Sequence, residues 1–172
     1  MNSSFEPFET RIEGFSQAHP EAPKREIILS RLYFHVFKQY NERQNLHLAP
    51  FGLNGSSWFA LVMLYSTPEN AINPCDLSYA MISSRTNITR LSDELVEKGW
   101  VERNTSGEDR RKIVLSLTAS GRKLVESVLP RQWDYYKELW SGFDSEEIDQ
   151  FEHLLRRLLA KLDKDMENAC GQ

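Results

Sequence analysis

Six hydrogen-bonding side chains stand within residues 84–90: Ser84, Arg85, Thr86, Asn87, Thr89 and Arg90, with no acid among them. Arginine can fork onto a guanine edge, asparagine onto adenine, and threonine can meet a phosphate or a thymine methyl. The set is suited to reading a polyanion with ordered base edges. It is not suited to turnover. No nucleophile–base arrangement and no phosphate-cradling glycine loop occurs in the chain. The four histidines, at 19, 35, 47 and 153, are scattered without metal-ligand spacing. An enzyme is therefore not expected, and neither a metal nor a cofactor is called for.

These side chains need a helix to present them. Over 84–98, Ile88, Leu91 and Leu95 fall on one side, while Thr86, Thr89, Arg90, Asp93 and Glu97 lie opposite, flanked by Arg85 and Asn87. The N-terminal half of the polar side carries donors and the C-terminal half carries acids. A helix that enters the major groove by its N-terminal end would keep those acids away from DNA. Gly99 marks the helix end. Upstream, Asn73-Pro74-Cys75-Asp76 reads as a helix start, with Asn73 as cap and Pro74 in the first turn. Leu77 and Met81 form its apolar side, Met81-Ile82-Ser83 the turn, and Ser83 is expected to cap the next helix. Downstream, the period changes to two over 100–105 and 112–117, with Ser106-Gly107-Glu108-Asp109-Arg110-Arg111 between them. Helix, turn, helix and a hairpin with a basic tip is the winged helix-turn-helix pattern. Asp109, Arg110 and Arg111 would form the wing, which can set an arginine in a narrow minor groove. Asp109 would pair with a neighbouring arginine and fix its direction.

The net charge of −4 runs against a DNA partner only until it is resolved along the chain. Residues 84–123 hold nine basic and six acidic side chains, whereas 124–172 hold six basic and eleven acidic. Local potential is what phosphates sense.

The remaining pattern is helical. Residues 1–23 read as a loose N-terminal arm with a short helix around 9–16. Over 24–47, Ile28, Leu32, Val36 and Tyr40 recur every fourth position, and 55–66 is apolar nearly all round. Thr118 would cap a helix reaching about residue 141 and kinked at Pro130. Asp144 and Glu147 form a capping box. Ile148, Phe151, Leu155, Leu158 and Leu162 then alternate steps of three and four, a coiled-coil-like seam that favours a homodimer. The expected fold is mostly α (α+β): an arm (1–23), dimerisation helices (24–50 and 124–172) and a winged-helix DNA-binding domain (51–123).

Aromatic side chains offer a second kind of site. Tyr33, His35, Phe37, Trp58, Phe59 and Trp140 could line a pocket for a small aromatic effector, with His35 as polar handle; each also fits plain core. Cys75 could serve as a thiol sensor in the first turn of a helix, or be a quiet buried cysteine. A winged helix can also be a protein-interaction module, and both alternatives stay open here. No apolar run approaches the roughly 20 residues of a membrane helix. The N-terminus lacks a secretion signal. The expected setting is the cytoplasm, with no membrane partner.

The stretch from Leu77 to Gly121 resembles the MarR family of bacterial regulators. The likeness rests on Ser83-Ser84-Arg85-Thr86-Asn87-Ile88-Thr89-Arg90-Leu91, Leu95-Val96-Glu97-Lys98-Gly99-Trp100-Val101, Asp109-Arg110-Arg111 and Leu117-Thr118-Ala119-Ser120-Gly121. It extends from about Ile28 to Leu162. It is closest to the EmrR (MprA) branch, repressors of multidrug-efflux operons, through Ser83–Asn87 and Leu139-Trp140-Ser141. The resemblance implies a dimer held by its terminal helices, a palindromic double-stranded operator, and release by small aromatic or phenolic compounds. It also implies Arg85, Thr86, Asn87 and Arg90 as base or phosphate contacts, and Asp109 with Arg111 as the wing pair. The long N-terminal arm and Pro130 depart from the family pattern.

Overall fold

The computed structural model describes residues 4–105 and 113–170. The chain divides into two compact units, which meet between Glu126 and Ser127 inside one continuous helix.

The first unit begins with α1 (Glu6–Ala18), a longer helix than the sequence pattern suggests. The segment is not a loose arm. Phe5, just before α1, is buried, and its ring stacks on Phe8 at 5.9 Å. Glu13 also accepts a 2.7 Å charged hydrogen bond from Lys24. Burial of one aromatic ring and a link to the next helix supply the order that composition alone does not signal.

Helix α2 (Lys24–Leu48) buries only Leu48 at its end. Leu29, Tyr33, Val36 and Phe37 stay exposed on the single chain. Helix α3 (Gly55–Ser66) opens with a reciprocal capping box. The Ser57 backbone N–H donates to Asn54 Oδ1 at 2.9 Å, and the Asn54 N–H donates to Ser57 Oγ at 2.8 Å. Trp58, Ala60, Leu61 and Leu64 of α3 are buried, making it the centre of this unit's core, although Phe59 stays exposed. Around it Leu77, Ile88, Leu95, Val101, Leu115 and Val125 are also buried.

Strand β1 (Ala71–Ile72) carries no sequence signal, because two residues are too few to show a period. It pairs antiparallel with β3 (Ile113–Leu117), which pairs antiparallel with β2 (Val101–Thr105), giving the order β1-β3-β2. Val101 faces Leu117 and Thr105 faces Ile113.

Helix α4 (Pro74–Ala80) starts as its sequence indicates, with Asn73 Oδ1 accepting from the Asp76 N–H at 2.9 Å. Helix α5 (Arg85–Glu97) starts one residue later than expected. Its cap is Ser84, not Ser83. The Ser83 carbonyl is taken by the Ser78 hydroxyl at 2.6 Å, while Ser84 Oγ accepts from the Asn87 N–H at 3.3 Å. Between the helices Ile82 has φ +48°, a left-handed conformation that costs an L-residue roughly 1–2 kcal/mol.

The Leu117–Gly121 motif has a local explanation. Thr118 Oγ1 and Ser120 Oγ each donate to the Gly99 carbonyl at 2.7 Å, and Gly121 N–H donates to Thr118 Oγ1 at 3.0 Å. A Cβ on Gly121 would stand 2.0 Å from the Trp100 carbonyl oxygen, so only glycine fits. The motif thereby fixes the start of α6 (Ala119–Trp140) onto the end of α5.

The second unit holds the rest of α6, which continues past Pro130, and α7 (Ser145–Cys170). The capping box at the head of α7 is present: Glu147 N–H donates to Asp144 Oδ1 at 2.9 Å, and Asp144 N–H to Glu147 Oε2 at 3.0 Å.

Candidate nucleic-acid interface

Helix α5 is divided as its wheel demands. Ile88, Leu91, Ser92 and Leu95 are buried, and Ser92 ties its hydroxyl to the Ile88 carbonyl at 2.7 Å. Ser84, Arg85, Thr86, Asn87, Thr89 and Arg90 are all exposed. The core side thus holds the helix while the donor side is left to solvent. Thr89 spends its hydroxyl proton on the Arg85 carbonyl at 3.0 Å, so it offers a methyl and an acceptor outward. Among the described residues no ion pair involves Arg85 or Arg90, whose guanidinium groups remain available to an anion.

The acids further along α5 are largely neutralised. Asp93 pairs with Arg103 of β2 at 2.6 Å, and Glu94 pairs with Lys98 at 2.9 Å. Arg103 also donates to the Thr89 carbonyl at 3.5 Å. This arginine connects the hairpin to α5, a role absent from the sequence-based expectations. A single arginine in a five-residue strand carries no local pattern that points ten residues back to Asp93. Lys98 is a second such residue: its ammonium donates to the Gly52 carbonyl at 3.0 Å and lies over the Trp100 ring at 4.9 Å. These contacts brace the far end of α5. The paired strands β2 and β3 lead into the hairpin tip. Asp109, Arg110 and Arg111, expected at that tip from the sequence, lie outside the described residues.

A polar cleft of about 290 Å³ opens beside α5, with Asn54, Ser83, Asn87, Arg90 and Glu94 among its lining residues. It places Asn87 and Arg90 where polar groups converge.

The aromatic candidates have different surroundings. Trp58 is 4% exposed and belongs to the core around α3. Tyr33, Phe37 and Phe59 are exposed. His35 is engaged by the N-terminal segment, with Ser4 Oγ 2.8 Å from its Nε2 and the Phe5 and Phe8 rings at 5.5 and 5.7 Å. Trp140 belongs to the second unit, where its ring lies 5.9 Å from Phe151. There α6 and α7 bound an apolar groove of about 700 Å³, lined by Tyr136, Trp140, Ile148, Phe151, Leu155 and Leu159. The seam residues Ile148, Phe151, Leu155, Leu158 and Leu162 are all exposed along α7. In the same unit Gln132 is 1% exposed, and neither atom of its amide has a hydrogen-bond partner among the described residues. No sequence pattern points to it. Cys75 is exposed rather than buried, because its place in the short helix α4 turns it away from Leu77 and the core. Among the described residues no helix is long and apolar enough to cross a membrane, and no cluster of metal-ligating side chains occurs.

Comparison with known proteins agrees with this geometry. Residues 53–113 match the model of the MarR family. The chain is 40% identical over 164 residues to the transcriptional repressor MprA of Escherichia coli K12, covering 95% of this chain and 93% of that one. A mutant MarR of Escherichia coli, solved in complex with operator DNA, superimposes with a TM-score of 0.70 at 26% identity, covering 84% of this chain and 97% of that one. AbsC of Streptomyces coelicolor, a MarR family transcriptional regulator, shares the fold with a TM-score of 0.77 at 19% identity, covering 83% and 97%.

Proposed function

This chain belongs to the MarR family of transcriptional regulators, and on that premise we propose that it represses transcription by occupying a palindromic operator as a homodimer. The observation that carries the reading is the exposed, acid-free donor face of α5 from Ser84 to Arg90. Its neighbouring acids are paired to Arg103 and Lys98. Arg85 and Asn87 are the candidate base readers. Thr86, Thr89 and Arg90 are candidate base or phosphate contacts, and Asp109, Arg110 and Arg111 are the candidate wing. The solved complex of a related MarR with operator DNA supports the same use of this fold.

The exposed seam of α7 supports dimerisation, since Ile148, Phe151, Leu155, Leu158 and Leu162 would otherwise leave a long apolar stripe in water. Release by a small aromatic molecule is the regulatory part of the proposal. A compound that favours dimers with wrongly spaced recognition helices must lower operator affinity by the same factor. The setting is the cytoplasm.

Selection of duplexes from a random pool by the purified protein tests the reading. The expected product is an inverted repeat with half-site centres roughly 10 bp apart. Recovery of no enriched sequence, or of a single asymmetric half-site, contradicts it.

A further inference from the structure

The end of α4 and the turn that follows it hold the two most exposed large apolar side chains of the described residues. Ile82 is 95% exposed and Tyr79 is 88% exposed. Ile82 is also strained, with φ +48° on a β-branched residue. Burial of the Ile82 side chain does not offset that strain, because it stands almost wholly in solvent. The turn is nonetheless held firmly. Ser78 Oγ donates to the Ser83 carbonyl at 2.6 Å, the Ser83 N–H donates to the Ser78 carbonyl at 3.1 Å, and the Ile82 N–H donates to the Tyr79 carbonyl at 3.1 Å. Strain that the surroundings over-determine is characteristic of functional positions.

We infer that Tyr79 and Ile82 form a DNA contact of their own at the leading edge of α5. Ile82 packs its aliphatic chain against deoxyribose or a thymine methyl, and Tyr79 donates its phenolic hydroxyl to a phosphate. The inference rests on the DNA-binding reading above and adds to it two residues that no sequence motif indicates. The choice of partner follows from position. Ile82 lies two residues before the cap Ser84, within about 7 Å of its Cα along the chain. Along the chain the exposed positions Tyr79 and Ile82 are followed by the exposed Ser84, Arg85, Thr86 and Asn87, with no acid among residues 79–87. Asp76, at the opposite end of α4, is engaged by Asn73. Two isolated side chains are far too small a patch for a protein interface on their own, whereas they extend the donor face of α5 naturally.

Three variants test this against the operator that the wild-type protein selects: Ile82→Gly, Ile82→Ala and Tyr79→Phe. Melting temperature and operator affinity are measured for each. Ile82→Gly relieves the strain, so it should melt at or above the wild-type temperature while binding roughly 5- to 20-fold more weakly. Ile82→Ala keeps the turn stiff but shortens the side chain, and should lose affinity as well. Tyr79→Phe keeps the ring and should bind roughly 3- to 10-fold more weakly with unchanged melting. A variant that binds within about twofold of wild type overturns the proposed role of its residue. If wild-type protein enriches no duplex at all, the DNA-binding reading fails first; if wild type binds and all three variants match it, only the role of Tyr79 and Ile82 fails.

Discussion

Arg103 Nη1 on β2 stands 2.6 Å from Asp93 Oδ1 on α5, and its second terminal nitrogen reaches the Thr89 carbonyl. One arginine therefore joins the winged hairpin to the helix that carries the donor face. Both side chains are more than a third exposed, at 38% and 57%, so the pair adds little to global stability. Its contribution is registration. Arg103→Ala should lower stability by less than about 1 kcal/mol but weaken operator binding several-fold, with faster amide exchange in β2 and β3. Unchanged exchange and unchanged affinity would show that the pair does not set the hairpin.

Gly121 gives a prediction about the scaffold. A methyl at this position would meet the Trp100 carbonyl oxygen at 2.0 Å, in the place where Thr118 and Ser120 bind the Gly99 carbonyl. The two nearest atoms belong to the Trp100 backbone, which cannot swing aside as the Leu117 side chain at 3.1 Å could. Gly121→Ala should cost about 3 kcal/mol in denaturant unfolding. A loss under about half a kcal/mol would mean that the α5–α6 junction relaxes freely.

Dimerisation follows from α7. Leu155 and Leu158 are exposed on the single chain, on the stripe that begins at Ile148. Leu155→Asp together with Leu158→Asp should leave monomer or unfolded chain in light scattering. A folded dimer carrying both changes would place the interface elsewhere.

The link between α1 and α2 is sensitive to acid. The Lys24 ammonium, by hydrogen bond and then by charge, holds the Glu13 carboxyl below the ordinary glutamate range. A depressed carboxylate pKa stabilises the folded state above the unfolded pKa, and that contribution is lost as pH falls through the folded one. Amide protection in α1 should therefore drop below the ordinary glutamate pKa of about 4.3. Glu13→Gln should remove that step while leaving neutral-pH protection slightly lower. Both groups are exposed, so the effect is confined to α1.

Much of the donor-bearing helix is legible in the sequence because its signals are local. Ile88, Leu91 and Leu95 share one face of a wheel and Gly99 ends the helix, just as Asp144 and Glu147, three residues apart, announce the start of α7. The features that sequence does not show have a common cause. The choice between Ser83 and Ser84 as cap is decided by Ser78, through a bond to the Ser83 carbonyl that no spacing rule predicts. Arg103 acquires its role from a partner on another element, and β1 exists only because β3 offers it an edge. The position of α1 depends on burying one ring, Phe5, rather than on any periodic pattern. Partners distant in sequence decide each of these cases.

Arg85 is the residue on which sequence reading by the N-terminal end of α5 stands or falls. Arg85 is exposed in the first turn and has no ion-pair partner among the described residues. Binding of Arg85→Ala to the selected operator and to a scrambled duplex should be titrated at several salt concentrations, with Arg111→Ala of the hairpin tip for comparison. Arg85→Ala should lose roughly 1–3 kcal/mol on the operator and relax preference at one position in each half-site. Arg111→Ala should weaken both duplexes more evenly and flatten the salt dependence of log K by roughly one unit for each phosphate it no longer neutralises. If Arg85→Ala keeps full sequence preference while Arg111→Ala loses it, α5 is not the reader and the account is contradicted.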